Sequence, residues 1–199
     1  METYKVTLRF TEPLLGTVPL DKSIYASFVA DDAPDEEAID EELATVLESD
    51  DKGKTGFHRM EDGTPFLYDY VIKGFMKDAC GMLRRVRGSE SKALPAYRKV
   101  IDGLVFVDPR QIPLVLPDGE VLGELSRPLR AQTAQGERIA LATSETCPEG
   151  TTITFELSVL GQADPDLLEE WFDYGRLRGL GQWRNASYGR FTHELKQVE

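Results

Sequence analysis

Two stretches of alternating apolar and polar residues limit the folds that this chain can adopt. Residues 4–10 read YKVTLRF, and residues 151–160 read TTITFELSVL. A period of two places every second side chain on the same face of a β-strand, and both stretches are rich in β-branched or aromatic residues. We therefore expect a sheet with one buried face, and its first strand lies close to the N-terminus.

A helical period between Val71 and Val86 supplies a partner for that buried face. At roughly 100° per residue, Lys73, Lys77 and Arg84 group on one side of this helix. One face of the helix is therefore expected to pack and the other to present cations. The apolar positions on the packing face are Ile72, Phe75, Met76, Ala79, Leu83 and Val86.

Other elements are predicted from shorter signals. Asp164 caps a helix that has Pro165 at its first position, and Pro34 opens an acidic helix that ends near Glu48. Residues 49–65 are expected to form a loop, and residues 87–99 a basic loop or short helix. Further strands are predicted at 104–107, 112–116, 139–144 and 190–195.

The formal charge of −12 over 199 residues is unevenly distributed. Residues 31–51 contain 11 acidic side chains and no basic one, and without them the chain is almost neutral. Two later segments are basic, 73–99 with eight Lys or Arg residues and 176–190 with four arginines. Local charge governs where a polyanion binds, so the acidic total does not exclude a nucleic-acid partner.

The cysteine and hydropathy patterns exclude several classes of protein. Cys80 and Cys147 are far apart in the sequence and are accompanied by only two histidines, which excludes a disulfide scaffold and a zinc finger. No apolar run reaches the roughly 18 residues of a transmembrane helix. The alternating N-terminus is unlike a signal peptide. We therefore expect a cytoplasmic protein with no membrane partner, cofactor or metal.

Residues 175–191 form the segment that carries the most information about function. They read GRLRGLGQWRNASYGRF and combine glycines, arginines and aromatic residues. Glycines permit close approach of the backbone to a ligand, arginines bind phosphates, and Trp183 or Tyr188 can stack on unpaired bases. A solvated turn between a helix and an edge strand is the alternative interpretation.

Four collinear segments resemble the RAMP superfamily, the CRISPR-associated RNA-binding proteins. GLGQWRNASYGRF at 179–191 is similar to the C-terminal glycine-rich loop of this family, although Ser187 stands where a glycine is usual. Pro13–Gly16 resembles the turn after the first strand, and the Lys73–Gly74 pair resembles the start of the first helix. Cys147–Thr151 resembles the Pro-x-Gly-Thr turn of the family.

The resemblance implies a fold and a function. The fold would be of the α+β class, a ferredoxin-like, RRM-like antiparallel sheet with helices on one face, a C-terminal glycine-rich loop and inserted loops. Residues 1–199 would form a single domain with an acidic helical insertion at about 31–52. The chain would bind a guide RNA, self-associate along it with other ribonucleoprotein subunits, and meet a target nucleic acid by base pairing. The RNA-binding residues would be Lys73, Lys77, Arg84, Arg85, Arg87, Arg178, Gly179, Gly181, Gln182, Trp183, Arg184, Asn185, Tyr188 and Arg190.

Two alternatives remain open at this stage. Backbone proteins of this family can cleave target RNA through an aspartate after the first strand. Asp31 or Asp32 could fill that place. We expect neither aspartate to be catalytic, because both lie in an acidic run that is solvated. His58 and His193 are expected to be structural or solvent-facing. Alternatively, the chain is a RAMP-fold interaction module, an inhibitor or adaptor that uses residues 31–51 and does not bind RNA.

Overall fold

A computed structural model of the chain describes residues 1–21, 23–24, 42–46, 53–133, 136–161 and 164–198. Most of the acidic segment, including Asp31 and Asp32, lies outside the described residues. The strands are β1 Glu2–Phe10, β2 Leu14–Leu15, β3 Val18–Pro19, β4 Lys54–Gly56, β5 His58–Arg59, β6 Pro65–Tyr68, β7 Val105–Asp108, β8 Gln111–Pro113, β9 Gly123–Thr133, β10 Gly136–Cys147, β11 Thr152–Val159 and β12 Phe191–Val198. The α-helices are α1 Asp69–Leu83, α2 Tyr97–Leu104 and α3 Pro165–Arg178, with short 3-10 helices at Glu90–Ala93 and Arg184–Ala186.

The central sheet has four strands in the order β12-β1-β11-β7, and all its neighbouring strands are antiparallel. Along the chain its elements follow as β1, α1, β7, β11, α3 and β12. This is the βαββαβ order of a ferredoxin-like fold. The predicted α+β class, built on an antiparallel ferredoxin-like sheet, is therefore confirmed.

The predicted alternation of β1 becomes the core of the molecule. Tyr4, Val6, Leu8 and Phe10 are buried, whereas Lys5 and the other intervening residues lie on the opposite face. Helices α1 and α3 both cover the buried face. The contacts of their aromatic rings with each other and with rings of the strands show this arrangement. The ring pairs are Phe75–Phe172, Phe75–Phe191 and Phe155–Phe172.

The two helices follow the sequence pattern closely. Ile72, Phe75, Met76 and Ala79 are buried as predicted, but α1 ends at Leu83, and Val86 beyond it is 52% exposed. In α3 the side chain of Asp164 accepts a hydrogen bond from the backbone N–H of Asp166 at 3.1 Å. Asp164 therefore caps the helix, with Pro165 in its first turn.

The remaining strands are insertions into this framework. Strands β2, β10, β4 and β3 form a second sheet in that order, extended by β9 on β10, and β5, β6 and β8 form a third. The prediction of a loop over 49–65 is wrong where β4 and β5 lie, and β9 was not predicted at all. β4 and β5, with three and two residues, are too short to show a period, and the partner of β4 in β10 is distant in sequence.

The structure also defines the surroundings of His58. His58 is buried between Phe66 and Tyr68, and its Nδ1 lies 2.8 Å from the hydroxyl of Thr45. Loss of solvation, followed by the charge of Arg59, lowers the pKa of His58 to about 4. The structural role expected of His58 agrees with this burial.

Both cysteines are free and buried, and burial raises the pKa of the Cys147 thiol to about 12. Over the described ranges no helix is both long and apolar enough to cross a bilayer. In the same part of the chain, no cluster of three or more His, Cys, Asp and Glu side chains is arranged to hold a metal ion.

Candidate nucleic-acid interface

The glycine-rich loop joins α3 to β12 and packs against the turn that follows β1. The backbone N–H of Gly189 donates to the carbonyl of Pro13 at 2.9 Å, and that of Leu180 donates to the carbonyl of Gly189 at 2.9 Å. Next to them, the N–H of Thr11 donates to the carbonyl of Arg190 at 2.8 Å. The loop is therefore held at one end of the central sheet by backbone hydrogen bonds.

Two glycines of the loop are required by this close packing. Gly181 and Gly189 have φ values of +77° and +70°, which are strained for residues with a side chain. A Cβ at Gly189 would lie 2.0 Å from the carbonyl oxygen of Leu180, and one at Gly181 would lie 2.8 Å from that of Leu15. Both positions therefore need glycine because the backbone crosses itself there.

Three of the four sequence segments that carry the family resemblance meet at this end of the sheet. The N–H of Phe10 donates to the carbonyl of Thr151 at 2.9 Å, and the N–H of Gly150 donates to that of Phe10 at 2.8 Å. The turn at Pro13–Gly16 then contacts the glycine-rich loop through Gln182, whose Nε2 donates to the carbonyl of Gly16 at 2.7 Å. The fourth segment, Lys73–Gly74, lies on α1.

An open cavity of about 580 Å³ lies on the surface of the loop. It is lined by Arg178, Gly181, Gln182, Trp183, Arg184, Asn185 and Ala186. Six of these seven residues belong to the predicted RNA-binding set, so the fold places them around one space. The cavity combines guanidinium, amide and indole groups, which can meet phosphates and bases.

Asp78 of α1 holds two arginines of this cavity. Its Oδ2 accepts a hydrogen bond from Arg178 Nε at 3.0 Å and another from Arg184 Nη1 at 2.8 Å. Arg178 Nη1 also donates to the Asn185 side-chain oxygen at 3.1 Å. One carboxylate thus orients two guanidinium groups, and the trio keeps a net positive charge.

A second open cavity of about 440 Å³ adjoins the first through Asp78. Helices α1 and α2 form its walls, and its cations are Lys77, Arg85 and Arg98. Lys77 Nζ contacts Asp102 Oδ1 at 2.7 Å. Basic side chains therefore continue from the glycine-rich loop onto the helical surface.

Other residues of the predicted set lie elsewhere or make internal contacts. Lys73 lies 5.1 Å from the ring centroid of Phe106, and Arg84 lies 5.3 Å from that of Tyr97. Helix α2, of which only residues 97–99 belong to the predicted basic loop or short helix at 87–99, therefore covers part of the face expected to be open. Neither cavity is lined by Gly179, Arg87, Tyr188 or Arg190.

Two residues of this region were not singled out from the sequence. Asp78 follows Lys77 within a segment that is otherwise mostly basic, and no motif of the sequence points to it. Arg127 lies in β9, for which no strand was predicted, so the sequence carried no signal for it. Its side chain is buried beneath Trp183, and loss of solvation lowers the pKa of its guanidinium.

Comparisons with known proteins establish the fold. No family model matches the sequence, and neither does any curated protein. A chain of the type III-B Cmr-beta complex bound to cognate target RNA is similar over 100% of this chain, with a TM-score of 0.61 and 11% identity. The present chain spans 61% of the length of that chain.

A chain of a type IV-B CRISPR complex is similar over 98% of this chain and 90% of its own length, with a TM-score of 0.49 and 12% identity. At these identities the likeness concerns the fold alone. The fold therefore places this chain in the class of α+β, ferredoxin-like proteins. The Cmr-beta chain shows that this fold is found in a CRISPR complex.

Proposed function

We propose that this chain is a guide-RNA-binding subunit of the RAMP type, which self-associates along the RNA in a CRISPR ribonucleoprotein and meets its target by base pairing. The observation that carries the proposal is the pair of guanidinium groups that Asp78 orients at the mouth of the glycine-rich loop. The fold likeness to a chain in an RNA-bound CRISPR complex supports the same proposal.

The geometry of the arginine pair suits phosphate binding. A guanidinium carries five N–H groups. Among the described residues, the hydrogen bonds use two of those on Arg178 and one on Arg184. The remaining donors of these cavity-lining side chains are free to meet phosphate oxygens, and their orientation is fixed before the RNA arrives.

The adjoining helical cavity extends the same chemistry. Lys77, Arg85 and Arg98 provide three more cations against Asp78 and Asp102. A single-stranded RNA that leaves the loop could therefore follow basic side chains along α1 and α2. Such a groove binds the backbone of any sequence, as a subunit that holds a guide requires.

The test compares RNA binding by the wild type and by a double variant, Arg178→Gln with Arg184→Gln. The matched control is Arg176→Gln, because Arg176 lies on the same helix as Arg178, has a side chain that is 63% exposed and pairs with Asp173 instead of Asp78. Binding of a fluorescent single-stranded RNA is followed by anisotropy across a range of salt concentrations.

Each lost phosphate contact is expected to weaken binding about fivefold at about 0.1 M salt and to reduce the salt slope by about 0.7. The double variant should therefore lose about 25-fold, and the control should bind as the wild type does. Equal binding by wild type and double variant, or no binding by the wild type at low salt, would contradict the proposal.

Self-association is tested separately on protein co-expressed with its native flanking DNA. We expect the purified protein to retain one discrete RNA species. Sequencing that RNA gives its length, and the mass of the particle gives the number of copies bound to it. A single copy on a retained RNA would refute tiling and leave RNA binding in place.

A further inference from the structure

Arg127 of β9 is a buried cation that no carboxylate of the described residues neutralises. Only 5% of the surface of this residue is exposed. Nη2 donates to the side-chain oxygen of Gln182 at 3.0 Å, whereas Nε and Nη1 are buried without a hydrogen-bond partner in the described part of the chain. Burying an unpaired charge is unfavourable by several kcal/mol, so an apolar side chain would suit a purely structural position better.

The position of this guanidinium is fixed by an amide whose orientation the structure determines. Gln182 Nε2 donates to the carbonyl of Gly16 at 2.7 Å and to Thr55 Oγ1 at 3.0 Å. Its oxygen therefore remains to accept from Arg127. The turn after β1, strand β4 and the glycine-rich loop together hold the charge in one place.

Trp183 lies directly on this guanidinium. The central carbon of the Arg127 guanidinium is 3.7 Å from the centroid of the indole ring, which is a stacking distance. The backbone of Trp183 has a φ of +54°, a left-handed conformation that is uncommon for a bulky residue. Strain at a surface aromatic residue is typical of a binding site.

The rest of the indole is available to a ligand. Trp183 remains 37% exposed and lines the 580 Å³ cavity together with Arg178 and Arg184. The guanidinium occupies one face of the ring, and the ring of Tyr188 lies 6.1 Å away, tilted by 35° to the indole. The exposed part of the indole lines the same cavity as the two arginines to which the proposed function assigns phosphates.

We propose that Arg127 and Trp183 form a two-layer stacking platform, on which one unpaired nucleobase of the RNA lies against the exposed face of the indole. Arg127 is a positioning residue that holds the ring from behind. A phosphate backbone that enters the cavity also brings negative charge close to the buried cation. The inference rests on the proposed function, and it adds the base contact to the phosphate contacts described above.

The first experiment uses two probes, a short oligoadenylate and an abasic phosphate chain of the same length. The chain has two tryptophans, and Trp171→Phe leaves Trp183 as the only one, so excitation selective for tryptophan reports on Trp183. We expect oligoadenylate to quench the fluorescence of Trp183, because a stacked base contacts the ring, and the abasic chain to leave it nearly unchanged.

The second experiment measures affinity for both probes by anisotropy. Stacking on an aromatic side chain contributes about 1–3 kcal/mol per base, so Trp183→Ala should weaken oligoadenylate binding about tenfold. The same variant should bind the abasic chain as the wild type does. Trp183→Phe keeps a ring and should lose less than Trp183→Ala.

Arg127→Met tests the layer behind the ring. It removes the charge and the planar group but keeps a long side chain, and we expect the preference for oligoadenylate over the abasic chain to fall about tenfold. General loosening of the fold would weaken binding of both probes and leave this ratio unchanged. The result with Trp183→Ala does not depend on whether Arg127→Met folds.

The outcomes separate the two proposals. Salt-dependent binding of both probes with equal affinity and no quenching would overturn the platform and leave the proposed function standing. Absence of binding to either probe would overturn both. Discrimination by the wild type that Trp183→Ala abolishes would support the platform.

Discussion

Replacement of Gly175 by alanine tests how tightly the glycine-rich loop is tied to the core. Gly175 is buried in the last turns of α3, and a Cβ at this position would lie 2.1 Å from Cζ of Phe191. Carbon atoms in contact are normally about 3.5–4.0 Å apart, so the ring would have to move by more than about 1 Å. Phe191 is fully buried and packs against the rings of Phe10 and Phe75, which block that movement.

Two effects of opposite sign decide the magnitude. Alanine in place of glycine inside a helix stabilises by about 1 kcal/mol. Overpacking a filled core costs about 1–3 kcal/mol. Here the new Cβ overlaps strongly with the ring of Phe191, and the surrounding rings prevent that ring from turning outward. We expect the upper end of this range, and hence a net destabilisation of about 2 kcal/mol. For a protein of this size that corresponds to a fall in Tm of about 4–8 °C.

Gly74 provides the matched control for this experiment. It lies inside α1, and a Cβ there would meet no atom within 4 Å among the described residues outside the backbone of the helix itself. Gly74→Ala should therefore raise the free energy of unfolding by about 1 kcal/mol. Urea denaturation followed by circular dichroism measures both variants. A Gly175→Ala protein at least as stable as the wild type would refute the packing argument.

Three further predictions concern pH, the loop and the cysteines. His58 has a pKa of about 4 in the folded protein against 6.5 in the unfolded chain. It therefore contributes about 3 kcal/mol to the free energy of unfolding above pH 6.5, and this contribution is lost as the pH falls towards 4. His58→Gln should flatten that part of the pH profile of stability in urea, and an unchanged profile would contradict the burial argument. Gly189→Ala should lower the free energy of unfolding by at least about 2 kcal/mol, because the new Cβ meets the carbonyl of Leu180 while φ stays positive. A loss below about 0.5 kcal/mol, measured by urea denaturation, would show that the backbone at Leu180 and Gly189 can move apart. Cys147 should not react with a thiol reagent at pH 8 until urea unfolds the protein, because burial raises its pKa to about 12. Rapid labelling of Cys147 in the native protein would show that its thiol is accessible.

Asp78 links the two halves of the candidate interface. Its carboxylate belongs to α1, whereas Arg178 and Arg184 belong to α3 and the glycine-rich loop. A change on the helical surface that moves α1 would therefore also reorient the arginines of the loop. The two adjoining cavities are expected to respond together to RNA.

The parts of the fold that could be predicted are those in which a local repeat reports burial. Alternation in β1 and β11 and the helical period of α1 each place a run of side chains on one face, and the structure buries those runs. The capping pair Asp164–Pro165 was equally local. The short strands β4 and β5 were missed because two or three residues are too few to show a period, and β4 also pairs with β10, which lies far along the chain.

The sequence by itself determined the buried faces of β1, β11 and α1 and the composition of the glycine-rich loop, because periodicity and glycine chemistry act over a few residues. Only the tertiary structure decided which charges meet. Arg178 and Asp78 are 100 residues apart in the chain, and Arg127 and Gln182 are 55 apart. Such pairs depend on how α1, β9 and the loop converge, and no local pattern encodes that convergence. The tertiary fold therefore turned a set of solvated arginines into an oriented pair and a buried cation beneath a tryptophan.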